Sequence, residues 1–202
     1  MEKGILGEVN RIEAEEGSTA DWSRSPAYFD PVQAGGGALI DVGIHSIDLI
    51  RWLVGEFGEI EYRGNGAATT VESEAELLFR MAKGAEGKLL ASRTRDLRQH
   101  IRITGSEGYL DIGLWSDNLR MRSNKGKAFQ QLPYLDAYVS RRPPQDASFV
   151  LQLSNLVNAI RGEEKVLVDG FEGMAAVEVV TRGYDHSVRF DTSPAELAGG
   201  AG

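Results

Sequence analysis

Cysteine is absent from this chain of 202 residues, and that absence removes several classes of chemistry at once. Without a thiol there is no disulfide, no iron–sulfur cluster, no cysteine-ligated zinc and no thiol nucleophile. Histidine is scarce as well, since His45, His100 and His186 form neither an H-x-x-x-H nor an H-E-x-x-H pattern. The sequence therefore predicts a chain that binds no metal and suits a reducing compartment.

Long apolar runs and an excess of basic residues are also missing. No apolar segment approaches the roughly 20 residues that span a bilayer, and the N-terminal MEKGILGEV lacks the apolar core of a signal peptide. The net charge of −8 and the pI near 5.0 predict a surface that repels nucleic acid. These absences predict a cytoplasmic protein that binds neither membranes nor nucleic acids.

Neither glycine-rich phosphate-binding motif, G-x-G-x-x-G or G-x-x-x-x-G-K-[ST], occurs in the sequence. Gly35, Gly36 and Gly37 are consecutive, but we assign this run to backbone freedom and to the close approach of another group. We therefore predict no nucleotide site in this chain. The hydrophobic fraction of 42% and the charged fraction of 26% are those of an ordinary globular domain.

The stretch GGGALIDVGIHSIDLIRWLVG, residues 35–55, predicts a helix that ends at a glycine. At about 100° per residue, Asp41, His45, Asp48 and Trp52 fall within an arc of roughly 60°. Burial of such polar groups is costly unless they are paired. The stripe therefore faces a polar cavity or forms a closed hydrogen-bonded set.

Two interpretations of this stripe follow from its spacing. In the structural one, Asp41 accepts a hydrogen bond from His45 one turn later, and Asp48 holds a neighbouring loop. In the functional one, Asp41 and His45 are an acid/base dyad, because a carboxylate can fix the tautomer of an imidazole that titrates near neutral pH. Spacing alone does not decide between the two.

The rest of the chain predicts an α+β architecture. Residues 4–17 predict a strand, and alternating segments between residues 58 and 133 predict successive antiparallel strands whose apolar face is covered by helices. Helical spacing of apolar residues predicts two further helices, over residues 147–161 and 170–184.

Two long loops, residues 18–36 and 134–145, carry aromatic and basic side chains. Loops of this length are usually functional or mobile. Trp22, Tyr134 and Asp48 are therefore candidate substrate-binding residues. For Trp22, the alternative is an aromatic side chain that pins its loop to the core.

The motif D-x-G-x-H-x-x-D-L after three glycines resembles the helix that opens the second domain of the Gfo/Idh/MocA family. This family contains glucose–fructose oxidoreductase, inositol dehydrogenase and rhizopine-catabolism dehydrogenases. The order of the other segments is similar too, from the ILGEV strand and the loop with Trp22 to the G-S-E-G turn and FVLQLSNLVNAIRGEE. The resemblance covers nearly the whole chain.

This resemblance implies a fold. It is a substrate and catalytic domain built as an α/β two-layer sandwich, like the C-terminal domain of dihydrodipicolinate reductase, with one large, mostly antiparallel sheet and helices on one face. The other face of the sheet would build a homodimer or a homotetramer. We expect residues 1–190 to form this domain and residues 191–202 to be a disordered tail.

The resemblance also implies roles for residues of the helix. His45 would be the acid/base that moves a proton to or from the substrate hydroxyl as hydride passes between that carbon and a nicotinamide. Asp41 would orient the substrate or His45, and Asp48 would support the helix. Lys3 is not followed by the proline of the Glu-Lys-Pro segment of the family, so it receives no catalytic role.

Family members begin with a dinucleotide-binding domain of roughly 120 residues, whose G-x-G-x-x-G motif this sequence lacks. NAD or NADP would be bound by the complete enzyme and not by this chain alone, which should be inactive without a Rossmann partner. Three functions stay open. They are the substrate half of an NAD(P)-dependent oxidoreductase acting on a polyhydroxylated small molecule, a stand-alone sugar- or polyol-binding module, and an oligomerisation module.

Overall fold

The computed structural model describes residues 6–19, 25–67, 69–116, 119–123 and 147–189. Within these ranges the strands are β1 (Val9–Gly17), β2 (Phe57–Gly64), β3 (Glu74–Met81), β4 (Glu86–Ser92), β5 (His100–Gly105), β6 (Gly108–Gly113), β7 (Leu119–Ser123) and β8 (Ser187–Arg189). The helices are α1 (Pro31–Ala34), α2 (Ile44–Val54), α3 (Ala147–Ile160) and α4 (Gly170–Asp185). A 3₁₀ turn at Pro26–Tyr28 precedes α1, and a π-helical turn at Leu39–Gly43 leads into α2.

The strands form one sheet in the order β7-β6-β5-β1-β4-β3-β2-β8. Neighbouring strands run antiparallel except for two parallel pairs, β1 with β4 and β2 with β8. The mostly antiparallel sheet is therefore confirmed. The expected run of successive strands is divided, because β1 lies between the β2–β3–β4 group and the β5–β6–β7 group.

One face of the sheet forms the core with the helices. Side chains on this face are fully buried, among them Ile12, Leu77, Leu89 and Ile101. A Cβ added at Gly43 would lie 3.4 Å from Leu89, so the π-helical turn comes close to β4. Helix α4 packs beside α2 and over β2. Apolar and polar side chains alternate along each strand, and this alternation produces the predicted apolar face that the helices cover.

The side chains that alternate with these core residues form the opposite face, which we call the strand face. They are mostly charged, and they pair across neighbouring strands. Arg63 contacts Glu76 at 3.3 Å, and Arg102 contacts Asp111 at 2.6 Å. Lys88 also pairs with Glu76. The face expected to build oligomers is therefore polar and largely paired within the chain.

Helix α3 confirms the helix predicted over residues 147–161, to within one residue. Its apolar stripe, Phe149, Leu153, Leu156 and Ile160, is exposed in the described structure. The helix layer on the core face is built from α2 and α4 instead.

Several expectations fall outside the described residues. They are the candidate residues Trp22 and Tyr134, the residue Lys3 and the tail at 191–202. Strand β8 was not predicted, because three residues are too few to show an alternating pattern. In the part of the chain that the structure describes, no helix combines the length and the apolar character needed to cross a membrane.

Candidate functional site

The glycine run lets the helix start close to two other segments. Gly36 has φ +155°, and a Cβ there would collide with the hydroxyl of Tyr184. A Cβ at Gly37 would collide with the backbone carbonyl of Glu72. The carboxylate of Glu72 accepts hydrogen bonds from the backbone N–H of Leu39, at 3.0 Å, and from the Tyr184 hydroxyl, at 2.8 Å. Close approach, the role expected of this run, is thus confirmed at Gly36 and Gly37.

Asp41 lies in the π-helical turn, and His45 lies in the first turn of α2. A π-helical turn places more residues in one turn than an α-helix does, and such turns are frequent at functional sites. The regular spacing of 100° per residue therefore does not hold between Asp41 and His45. In the described structure Asp41 hydrogen-bonds to other residues instead of to His45, which corrects the structural interpretation of the pair.

Asp41 is held by Tyr28 and Arg93. The Tyr28 hydroxyl donates to Asp41 Oδ2 at 2.5 Å, and Arg93 Nε donates to the same oxygen at 3.1 Å. The guanidinium of Arg93 also stacks on the Tyr28 ring, 4.1 Å from its centroid. Burial, followed by the hydrogen bond to Asp41, raises the pKa of Tyr28 to about 12. The Tyr28 hydroxyl therefore remains protonated and a donor at neutral pH.

The hydrogen bonds from Tyr28 and Arg93 leave Asp41 partly open to solvent. Its side chain is 35% exposed, whereas that of Arg93 is only 7% exposed. Arg93 Nη1 is buried and has no hydrogen-bond partner among the described residues. Because both protein donors use Oδ2, the other carboxylate oxygen can accept a hydrogen bond from a bound molecule.

His45 is exposed on the surface of α2. Its ring meets the edge of Trp115, with 6.5 Å between centroids and an interplanar angle of 85°. Asp48, one turn further along, is half-buried. An exposed imidazole beside an aromatic wall can exchange a proton with a bound molecule.

Glu16 approaches the same turn of α2 from β1. Its carboxylate is buried and accepts a hydrogen bond from the Ser46 hydroxyl at 2.6 Å. Burial raises the pKa of Glu16 above its usual value, although the hydrogen bond from Ser46 and the charge of His45 act in the opposite direction. A buried carboxyl group therefore lies next to the candidate acid/base.

The sequence patterns did not predict Glu16, Tyr28, Arg93 or Trp115 as site residues. One signal for Glu16 was available, since it continues the core-facing row of Ile12 and Ala14 on β1. A carboxylate at an apolar position of a strand indicates a specific partner. Arg93 gives no such signal, because only the fold brings it to Asp41 across 52 positions of sequence.

A cavity of about 510 Å³ lies beside the glycine run, lined by side chains that include Tyr62, Glu72 and Tyr184. Asp41, His45 and Asp48 do not line it. We therefore define the candidate site by Asp41 and His45 and not by this cavity.

The glycine run does not fit the phosphates of a dinucleotide. The G-x-G-x-x-G turn is missing from the sequence, and the glycine run is filled by Tyr184 and Glu72, which leaves no phosphate cradle there. The chemistry of this site is that of a carboxylate and an imidazole, which bind hydroxyl groups and move protons.

Comparison with known proteins places this geometry in context. Residues 1–111 match the model of the GFO/IDH/MocA C-terminal domain. A curated relative, scyllo-inositol 2-dehydrogenase (NAD(+)) of Bacillus subtilis (strain 168), is 25% identical over 195 residues, which cover 86% of this chain and 51% of that protein. The chain thus spans about half the length of this relative.

Solved structures share the fold. The WlbA dehydrogenase from Bordetella pertussis, in complex with NADH and UDP-GlcNAcA, superposes with a TM-score of 0.73 at 18% identity, over 92% of this chain and 56% of that one. The aldose-aldose oxidoreductase from Caulobacter crescentus, complexed with glycerol, has a TM-score of 0.73 at 21% identity, over 92% and 55% of the two chains. At these identities the similarity concerns the fold alone.

Proposed function

Because this chain belongs to the GFO/IDH/MocA family, whose C-terminal domain it carries, we propose that it is the substrate-binding and acid/base half of an oxidoreductase. The complete enzyme would use NAD or NADP and act on the CH–OH group of a sugar, polyol or related compound. The scyllo-inositol dehydrogenase relative is named as NAD(+)-dependent, which supports this cofactor class.

The observation that carries the proposal is that a carboxylate held by two hydrogen bonds, Asp41, and an exposed imidazole, His45, lie on adjoining helical turns. Tyr28 and Arg93 hydrogen-bond to Asp41 and fix its orientation. His45 is exposed one turn later, against Trp115. A carboxylate fixed in this way can bind a substrate hydroxyl, and the imidazole can then accept or return a hydroxyl proton.

In this mechanism the residues of the chain act on the proton alone. Asp41 accepts a hydrogen bond from a hydroxyl of the substrate and positions the reacting carbon. His45 takes the proton of the reacting hydroxyl during oxidation and returns it during reduction. Trp22, Tyr134 and Asp48 remain proposed substrate contacts. Because the sequence lacks the G-x-G-x-x-G motif, we assign the cofactor site to a Rossmann partner domain.

The test assays the chain together with a dinucleotide-binding domain of the family, on the same polypeptide or as a separate protein. We expect NAD(P)-linked oxidation of a sugar or polyol, with kcat lowered by a factor on the order of 10² or more in His45→Ala. The matched control is His186→Ala, which removes another exposed imidazole at the end of α4. That variant should keep the parental kcat.

Two results would contradict the proposal. Micromolar binding of a nicotinamide dinucleotide by this chain alone, in equilibrium dialysis, would show a cofactor site where we place none. Sugar binding that never leads to NAD(P)-linked turnover, with any partner domain, would favour a stand-alone binding module.

The same family membership supports a homodimer or homotetramer that associates through the strand face. The charge reversal Arg102→Glu should then shift the chain to a smaller species in size-exclusion chromatography, because Arg102 is half-exposed on that face beside Asp111. Replacing both Asp41 and His45 with alanine should leave the assembly unchanged. A monomeric parent protein would exclude this interface.

A further inference from the structure

Glu16 is an unusual occupant of its position in the sheet. Along β1, Ile12, Ala14 and Glu16 point in turn toward the helices, and Ile12 and Ala14 belong to the apolar core. Glu16 is only 2% exposed. An ionised carboxylate in such a position is costly unless something compensates its charge.

The two buried glutamates on β3, unlike Glu16 on β1, have cationic partners. Glu74 pairs with Arg95, and Glu76 pairs with Arg63 and Lys88. Among the described residues, no lysine or arginine forms an ion pair with Glu16. A positive charge on His45 would act on Glu16 and lower its pKa.

The contacts of Glu16 lead directly to His45. Its Oε2 accepts from the hydroxyl of Ser46, a fully buried residue, at 2.6 Å. Ser46 follows His45 in α2, so this hydrogen bond fixes the turn that carries the imidazole. On the same side of the helix, the ring of Trp115 meets that of His45. The strand β1 and the helical turn of His45 are therefore joined at one carboxyl group.

We propose that Glu16 is the positioning residue of His45, holding its helical turn through Ser46 and stabilising the imidazolium that forms when His45 accepts a proton. This inference rests on the proposed acid/base role of His45. Asp41 is less suited to this task, because Arg93 already neutralises its charge. The remaining charged group near His45 on the helix is Asp48, one turn further along.

The test follows the charge of His45 in the chain alone, through its reaction with diethyl pyrocarbonate, which modifies the neutral imidazole. In Glu16→Gln, the glutamine can still accept from Ser46, but the negative charge is lost. We expect modification of His45 at pH 6, measured by peptide mass spectrometry, to be about two- to fourfold faster in the variant. His100 and His186 provide internal references in every sample.

Measuring the modification rates at a second pH separates the effect of the lost charge from an effect of altered structure. At pH 9 the imidazole is neutral in both proteins, so the ratio of the two rates should return to about one. An excess that persists at pH 9 would mean that the variant merely exposes His45, and it would overturn the proposal. Equal rates at pH 6 would overturn it as well. The matched control is Glu74→Gln, which removes a carboxylate of equal burial from the strand face and should leave His45 unchanged.

This measurement needs neither cofactor nor substrate. Failure of the oxidoreductase assay with a normal labelling result would reject the proposed function and keep the link between Glu16 and His45. Full turnover with no labelling difference would reject that link and keep the function.

Discussion

Two glutamates, one on each side of the sheet, show how this molecule treats buried charge. Glu16 on the core side and Glu74 on the strand face are each 2% exposed, and each accepts a serine hydroxyl. Burial acts to raise both pKa values. For Glu74, the hydrogen bonds from Arg95, Ser92 and Thr94 outweigh burial and lower its pKa. For Glu16, burial prevails and the pKa is raised.

The difference separates structural charges from charges available for chemistry. On the strand face, Arg95 donates to Glu74 through Nε at 3.0 Å, so this carboxylate is satisfied within the domain. At the candidate site, no lysine or arginine of the described ranges pairs with Glu16, which lies beside the helical turn of the exposed His45. A group whose charged form is poorly compensated in the free protein can respond when a neighbour gains a proton.

The largest effect should come from removing the cation on the strand face. Arg95→Ala leaves Glu74 buried without a counter-charge, and we expect a loss of about 3 kcal/mol in the free energy of unfolding at pH 7. Urea denaturation measures this loss. Arg80→Ala, which breaks an exposed pair with Glu86, is the control and should cost far less. Equal losses would show that Glu74 is not held by Arg95.

The second prediction sets the two carboxylates against each other. Glu74→Gln should lower the free energy of unfolding at pH 7 by about 2 kcal/mol, because the charge-assisted hydrogen bonds to Arg95 are weakened. Glu16→Gln should raise it by up to about 1 kcal/mol, because a neutral amide is less costly to bury. Both variants are compared with the parent by urea denaturation. A loss of similar size in both would remove the distinction between the two sites.

The third prediction concerns pH. The folded pKa of Glu74 is lowered, so its stabilisation is complete above the ordinary value of 4.5 and is lost as pH falls through the folded pKa. The folded pKa of Glu16 is raised, so its penalty is absent below 4.5 and grows as pH rises through the folded pKa. The loss in the free energy of unfolding caused by Glu74→Gln should therefore become smaller toward acid pH.

The gain in the free energy of unfolding expected for Glu16→Gln should disappear toward acid pH as well. Urea midpoints measured between pH 3.5 and pH 7.5 test both slopes. Parallel curves for a variant and the parent would contradict the assigned pKa direction for that residue.

Much of this fold could be predicted from local sequence patterns. Alternating apolar residues predict strands β2 to β7, and helical spacing predicts the two long C-terminal helices. A terminal glycine predicts the end of α2 at Gly55. The position of β1 did not follow. Its parallel partner, β4, starts nearly 70 positions after the end of β1 in sequence, and no local pattern encodes such a pairing.

The site was predictable only in part. The spacing of Asp41 and His45 identified the helix that carries the candidate site, but a helical wheel that assumes regular geometry cannot predict a π-helical turn. The partners of Asp41 come from the 3₁₀ turn and from the end of β4, so they depend on tertiary packing. Single residues carry chemistry, whereas their partners are set by the fold.

The smallest effect should come from the two serines that bind these glutamates. Ser46→Ala removes the hydroxyl that bonds to Glu16, and we expect a loss of about 1 kcal/mol at pH 7. Ser92→Ala should cost more, because Ser92 Oγ also accepts from the backbone N–H groups of Thr94 and Arg95. Thermal or urea denaturation compares the two. In the Glu16→Gln background the cost of Ser46→Ala should fall, since a neutral amide needs that hydroxyl less than a carboxylate does. An unchanged cost would show that Ser46 contributes to the packing of α2 without supporting the charge of Glu16.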